Sequence, residues 1–290
     1  MTRTDPATAG ATTRTPARRR SGGPSASRGR TWRPAFTRTV MFYRVMVFVI
    51  FALVWEVFAR IVDGVTIPTF TGAVAGFVEL LFDPDMWRAL METNISMLAG
   101  YVISLALGIP LGLAIGRARS LERYADVYLS ILIVTPMAAL FPLMIIAFGI
   151  GRESSILTVV IFAIPYVIVN ARAGIRQVEP SIIEMGRCFG ASETRIWTTI
   201  LLPAATSAIM TGARVALGRG FTGIIVVELL LIPVGIGGLI IYYSGRFQPE
   251  LMYGAIIIVV LEALVLFSSA QWIEKRLTRW RSAQNTDTQA

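Results

Sequence analysis

Apolar residues fill long, almost uncharged stretches at 45–61, 95–116, 127–150, 154–171 and 251–273. An α-helix rises ~1.5 Å per residue and needs ~20 residues to cross a hydrocarbon core of ~30 Å, so each stretch predicts a transmembrane helix. Between 196 and 250 the pattern is mixed: 196–213 is uncharged, Arg214 and Arg219 interrupt it, and 220–245 holds only Glu228. Hydropathy alone allows one span or two there, and basic charge decides, because arginine and lysine collect in cytoplasmic loops. With one span, over about 208–232, the cytoplasmic side receives the arginines of 1–44, Arg117, Arg119, Arg123, Arg172, Arg176, Arg187, Arg195 and the tail residues Lys275, Arg276, Arg279 and Arg281. Only Arg88, Arg152 and Arg246 face outward. Two spans would export the basic C-terminal tail. The prediction is an all-α membrane protein with six transmembrane helices, both termini cytoplasmic, and an outward loop over 62–94.

Composition narrows the function classes. Hydrophobic residues make up 54% of the chain and charged residues 16%, which no independent water-soluble core of this size would show. The net charge of +9 is carried by arginine, Lys275 being the only lysine, and its place at the ends of apolar runs reads as topology, not as nucleic-acid binding. There is no histidine and Cys188 is the sole cysteine. Histidine metal sites, Ser/His and Cys/His nucleophiles and an intrachain disulfide are therefore excluded, and neither catalytic residue, metal nor cofactor is expected. A phosphate-cradling loop needs Gly-Lys-Ser/Thr, which cannot be written without lysine, so any ATPase must be a separate subunit.

Residues 1–44 hold ten arginines, one acid and many small polar residues and prolines, a composition predicted to form a disordered cytoplasmic tail. A cleaved targeting segment fits less well, since no small-residue cleavage site follows the first apolar run. The membrane domain is placed at 45–273 and a second cytoplasmic tail at 274–290.

The segment at about 172–204 stays inside and is long for a connection between bundle helices. Pro180 suits a first helical turn, and Ile182, Met185, Gly186 and Phe189 follow at helical spacing. Gly190 reads as a stop with positive φ. Ser192 is a good N-cap for a second short helix, with Glu193 in its first turn and Ile196, Trp197, Ile200 and Leu201 on its apolar face before Pro203. Two short amphipathic helices joined at a glycine fit two uses: a knob presented to a soluble partner, or a pair lying in the headgroups.

The run Glu184-Met185-Gly186-Arg187-Cys188-Phe189-Gly190, followed after nine residues by Ile200-Leu201-Leu202-Pro203, resembles the EAA loop of binding-protein-dependent ABC importer permeases. Met185 stands where alanine is usual and Gly186 is another small residue. Trp55-Glu56, Ile67-Pro68, the run from Leu107 to Gly112, Phe141-Pro142-Leu143, Phe148 to Gly151 and Gly235 to Ile240 are similar to the nitrate/sulfonate/taurine class. The resemblance implies a type I ABC importer permease fold and a coupling loop made by Glu184, Met185, Gly186, Gly190, Ile200, Leu202 and Pro203. It implies an inner-membrane location among lipids, an ABC-type ATP-binding subunit and an external solute-binding protein as partners, a permease homodimer, and alternating access for a small solute such as an organic sulfonate or nitrate.

Gly100, Ser104, Gly108, Gly112 and Gly116 form a stripe of small residues where another backbone can approach, either within the chain or in a dimer. Pro110, Pro136, Pro142 and Pro165 fall inside predicted spans and suit bent walls. Pro136, Met137 and Glu228 are taken as candidate pathway residues. Glu56 and Arg60 are spaced for an i,i+4 pair, while Arg214 and Arg219, read as near the inner end of the fifth span, suit snorkelling or anchoring of the coupling loop ahead of solute binding. Glu262, near the centre of the last span, carries the alternative reading of an ion-gradient-driven secondary transporter, against a plain buried carboxyl or one paired with another span.

Overall fold

Regular structure is entirely helical among the described residues, which in this computed structural model are 35–62, 67–231 and 233–278. Helix α1 (Ala35–Ile61) starts well ahead of the apolar run at 45, so 35–44 are helical. Residues 1–34 and 279–290 lie outside the described residues, and the tail expectations lie there with them. The chain divides into two units after Val49. Of the first unit only the beginning of α1 is described, and the second unit holds the rest of that helix and all the others.

Those others are α2 (Phe70–Leu81), α3 (Pro84–Arg117), α4 (Arg119–Val134), α5 (Phe141–Phe148), α6 (Arg152–Arg176), α7 (Pro180–Cys188), α8 (Glu193–Ile196), α9 (Leu202–Leu230), α10 (Gly235–Gly245) and α11 (Pro249–Leu277). Among the described residues five helical segments are long and apolar enough to cross a membrane, and a sixth span is made by α4 with α5, bent by 89°. At 11 residues α10 is too short to cross, in keeping with a single span before it.

The bend falls at Pro136, one of the prolines expected to bend a span, and it breaks the apolar run over 127–150 into two helices. Proline disfavours a helical conformation in the residue before it, and Thr135 sits extended at φ −60°, ψ 130°. Its amide and its hydroxyl both donate to the Ile131 carbonyl, closing α4. A 3-10 turn over Met137–Leu140 then redirects the chain into α5, where Pro142 occupies a first-turn position that needs no amide hydrogen.

Three long helices form the centre. The stripe on α3 faces α6: a Cβ on Gly100 would lie 2.6 Å from the Ile156 carbonyl oxygen, and one on Gly112 would lie 2.6 Å from that of Ile168. Gly116 approaches the Arg172 carbonyl oxygen in the same way and Gly108 the Val167 side chain, and Ser104 is buried with its hydroxyl on the Gly100 carbonyl. On the other side α6 meets α9, where Gly174 approaches Ala205 and Gly212 approaches Asn170. Small residues bring these backbones close, and dispersion over the long contacts supplies the adhesion, since lipid gives no hydrophobic drive between helices.

Each end of the bundle has its own cluster. At the outer end Leu80, Met86, Ile236, Ile240, Tyr243, Ala255 and Ile258 pack together, joining α2, α10 and the beginnings of α3 and α11. At the end that the arginines make cytoplasmic, Leu113, Ala171, Ile175, Ile196, Leu201, Ala205 and Ile209 bury the root of the α7–α8 segment.

Candidate functional site

The α7–α8 segment is built from local signals. Pro180 opens α7, and its end is closed by two hydrogen bonds of a Schellman motif: the Ala191 amide donates to Gly186 O at 3.0 Å and the Gly190 amide to Arg187 O at 2.9 Å. Gly190 takes φ +74°, a left-handed conformation that costs an L-residue ~1–2 kcal/mol. Ser192 caps α8, its hydroxyl accepting from the Arg195 amide at 3.3 Å. Pro180, Gly190 and Ser192 thus stand in the positions predicted for them.

Pro203 does not end this second helix. A π turn over Trp197–Leu201 carries α8 directly into α9, with Pro203 in the first turn of the long helix. A proline ring clashes with the carbonyl four residues earlier in an α-helix. The wider turn relieves that crowding: the Leu202 amide bonds to Trp197 O, five residues back.

The segment has a buried and an open side. Ile196 and Leu201 are fully buried, and Gly186 lets Ile200 approach, its Cδ1 lying 3.1 Å from where a Cβ would stand. Leu202 is turned outward, and Pro203 is partly covered. Ile182, Met185 and Phe189 stay exposed, Phe189 by 85%, and Glu184 beside them is exposed with no side-chain hydrogen bond or ion pair among the described residues. An apolar ridge with a free carboxylate is therefore presented at the cytoplasmic end.

The charges around Glu193 explain why the ridge is held. Its carboxylate accepts from Arg187 on α7 at 2.5 Å and from Arg117 at the inner end of α3 at 3.4 Å. The Arg187 hydrogen bond, helped by the charges of both arginines, holds this carboxyl below the usual carboxylate range. Two further ion pairs, Arg172 with Asp126 and Arg176 with Glu122, tie α6 to α4 on the same side. Sequence reasoning placed these arginines only as topology signals. The near signal that could have exposed one clamp is the spacing of Arg187 and Glu193 across the Gly190 turn; the Arg117 contact is long-range.

The candidate pathway residues separate. Pro136 and Met137 border a cavity of about 300 Å³ at the α4–α5 bend, together with Thr135, Phe162, Tyr166 and Arg219. Glu228 is elsewhere, 2% exposed in the outer part of the bundle. Its carboxylate accepts from the Thr93 hydroxyl at 2.9 and 3.0 Å and from the Gly237 amide at 3.1 Å, while Thr93 Oγ1 accepts from the Ile236 amide at 3.0 Å. Glu228 thus satisfies the first amides of α10, as an N-cap would, instead of meeting an arginine or lining the cavity. Gly235, at φ +66°, is needed here, because a Cβ would lie 2.6 Å from Glu228 Oε1.

The other charges singled out within the spans make contacts too. Glu56 pairs with Arg60 at 2.6 Å as its spacing predicted, and it accepts from the Thr71 amide at 3.1 Å, fastening α1 to the start of α2. Glu262 accepts from Asn94 on α3. Because α9 begins at Leu202, Arg214 and Arg219 lie well inside it and neither anchors α7 or α8. Arg214 pairs with Glu274 on α11 at 3.1 Å, and Arg219 lies over the Tyr166 ring, 4.9 Å from its centroid.

Known proteins match this arrangement. Residues 108–279 match the family described as binding-protein-dependent transport system inner membrane component. The chain is 31% identical over 217 residues to the Escherichia coli (strain K12) protein assigned as aliphatic sulfonates transport permease SsuC, covering 75% of this chain and 82% of that one. It is 28% identical over 199 residues to the taurine transport system permease protein TauC of the same organism, covering 68% and 72%. The backbone is similar to a chain of the MetNI methionine ABC transporter in an inward-facing conformation, with a TM-score of 0.58 at 19% identity, covering 68% of this chain and 99% of that one. The last likeness concerns the fold, and it places the helices in the type I importer arrangement. The ion-gradient alternative falls with the family. A six-span helical bundle with a helical knob at its cytoplasmic end, matched over most of its length, thus makes this chain a member of the binding-protein-dependent permeases, the inner-membrane component of an ABC importer and not an enzyme.

Proposed function

We propose that this chain pairs with a second copy of itself in the lipid bilayer and passes a small organic oxyanion, of the aliphatic sulfonate class, from an external solute-binding protein to the cytoplasm. ATP-binding subunits dock on α7 and α8 and drive the exchange between inward- and outward-open states. The observation that carries this reading is the exposed ridge of Ile182, Met185 and Phe189 on α7, tied by the Arg187–Glu193 pair to α8, which runs through the π turn into α9. A docked subunit that grips the ridge differently in its two nucleotide states acts directly on a membrane helix. Glu184, Met185, Gly186, Gly190, Ile200, Leu202 and Pro203 form or support the coupling surface. The sulfonate class is supported by the names of the relatives at 28–31% identity.

The test is uptake in proteoliposomes holding the permease, its ATP-binding subunit and its binding protein. Changing Glu184 or Gly190 abolishes ATP-dependent uptake and the stimulation of ATP hydrolysis while membrane insertion is retained. Uptake by the permease alone, without any ATPase, would overturn the reading.

A further inference from the structure

Arg219 carries a full charge at the middle of the bundle and has no acid to meet it. Five residues earlier Arg214 is neutralised by Glu274, but Arg219 makes no ion pair among the described residues. Its one described contact is the face of Tyr166, halfway along α6. The side chain is exposed in the protomer. A guanidinium at the centre of a span costs ~2.5–3.5 kcal/mol even on insertion scales, so a face carrying one belongs to a water-filled space and not to lipid.

That space is present beside it. The cavity of about 300 Å³ opens where α4 breaks, and it is walled by Thr135, Pro136 and Met137 from the bend and by Phe162, Tyr166 and Val226 from the neighbouring helices. Apart from Arg219 its lining bears no charge. A guanidinium offers a fork of N–H donors that matches the paired oxygens of a sulfonate or carboxylate, and it remains charged at any physiological pH. The surrounding Met137, Phe162 and Val226 suit a short hydrocarbon body.

We propose that Arg219 is the anion contact of the translocation pathway, receiving the oxyanion group of the solute at the α4–α5 bend. This rests on the importer reading for its route and on the sulfonate reading only for the name of the solute.

Two measurements on the reconstituted complex separate these layers. In the first, uptake of ethanesulfonate by the wild type tests the solute class, and R219Q lowers that uptake at least about tenfold while R219K restores most of it. The second needs no solute: in a C188S, M137C background, the rates of modification by an anionic and a cationic methanethiosulfonate are compared. With Arg219 the anionic reagent is favoured, and R219Q lowers the anionic-to-cationic ratio by about tenfold, as removal of one nearby charge in a partly hydrated site requires; R219K keeps the ratio. A cysteine at that position unreactive to both reagents, or a ratio that R219Q leaves unchanged, overturns the proposal. If the wild type carries no sulfonate, the solute class is wrong and the cysteine ratio still decides the role of Arg219.

Discussion

Replacing Gly190 isolates the backbone conformation of the α7–α8 segment from its contacts. No atom lies within 4 Å of a Cβ built there, so Gly190→Ala introduces no clash, and its whole effect comes from φ +74°. Holding an L-residue in that region costs ~1–2 kcal/mol, whereas asparagine enters it more readily. If docking of the ATP-binding subunit requires the Schellman turn as it stands, that cost is taken from the docking free energy. A loss of ~1–2 kcal/mol corresponds to about 5- to 30-fold weaker binding. Titrating the ATP-binding subunit onto the permease in nanodiscs gives the affinity directly. The expected order is wild type, then Gly190→Asn, then Gly190→Ala, with thermal unfolding of the membrane core unchanged across the three. Equal affinities for the glycine and alanine forms would show that docking does not depend on this turn and would refute the reasoning.

Three other outcomes come from the packing and the charges. Gly112→Ala lowers the unfolding temperature more than Gly108→Ala, because the new methyl meets the Ile168 carbonyl oxygen at 2.6 Å in the first case and the Val167 side chain at 2.8 Å in the second; overpacking of the backbone kind costs ~1–3 kcal/mol, read by thermal unfolding in detergent. Glu228→Ala strands the Thr93 hydroxyl and the Gly237 amide, each unsatisfied group costing ~1–3 kcal/mol, while Glu228→Gln keeps an acceptor and loses less; hydrogen exchange of α10 separates the two. Glu193 has its carboxyl pKa lowered in the folded segment, so its support for α7 is complete above the ordinary carboxylate range and is lost only as pH falls through the lowered value. Docking of the ATP-binding subunit therefore does not change with pH between about 6 and 8 through this group, and Glu193→Gln weakens it at all of those pH values.

What could be read along the chain was local or compositional. Pro180, Gly190 and Ser192 act on their own turns, so the α7–α8 turn was legible before any fold was known. Hydropathy located the spans because it counts apolar residues, and it failed at Pro136 because it counts without direction: a run of apolar residues bent by 89° has the same sum as a straight one. Pro203 sits in the first turn of α9, where its ring is tolerated, and the π turn that joins α8 to α9 leaves no mark in composition. Helix α10 was not foreseen, since Gly235, Gly237, Gly238 and Gly245 give it poor propensity. It is held by Thr93 and Glu228, which lie 135 positions apart, and no local rule connects them. Glu228 was taken as a pathway residue because a charge in a span often is one, and its hydrogen bonds to Thr93 and α10 are visible only with its partners in place.

The π turn between α8 and α9 removes a hinge from the place where one would be expected. Helical backbone continues from Glu193 to Leu230, roughly 55 Å at ~1.5 Å per residue. A rod of that length is a lever arm: a tilt of about 10° applied at its cytoplasmic tip swings the far tip by roughly 10 Å, comparable to the diameter of a helix. The far tip carries Glu228, and through it the first turn of α10, so a small stroke below the membrane arrives above it as a displacement wide enough to admit a small molecule.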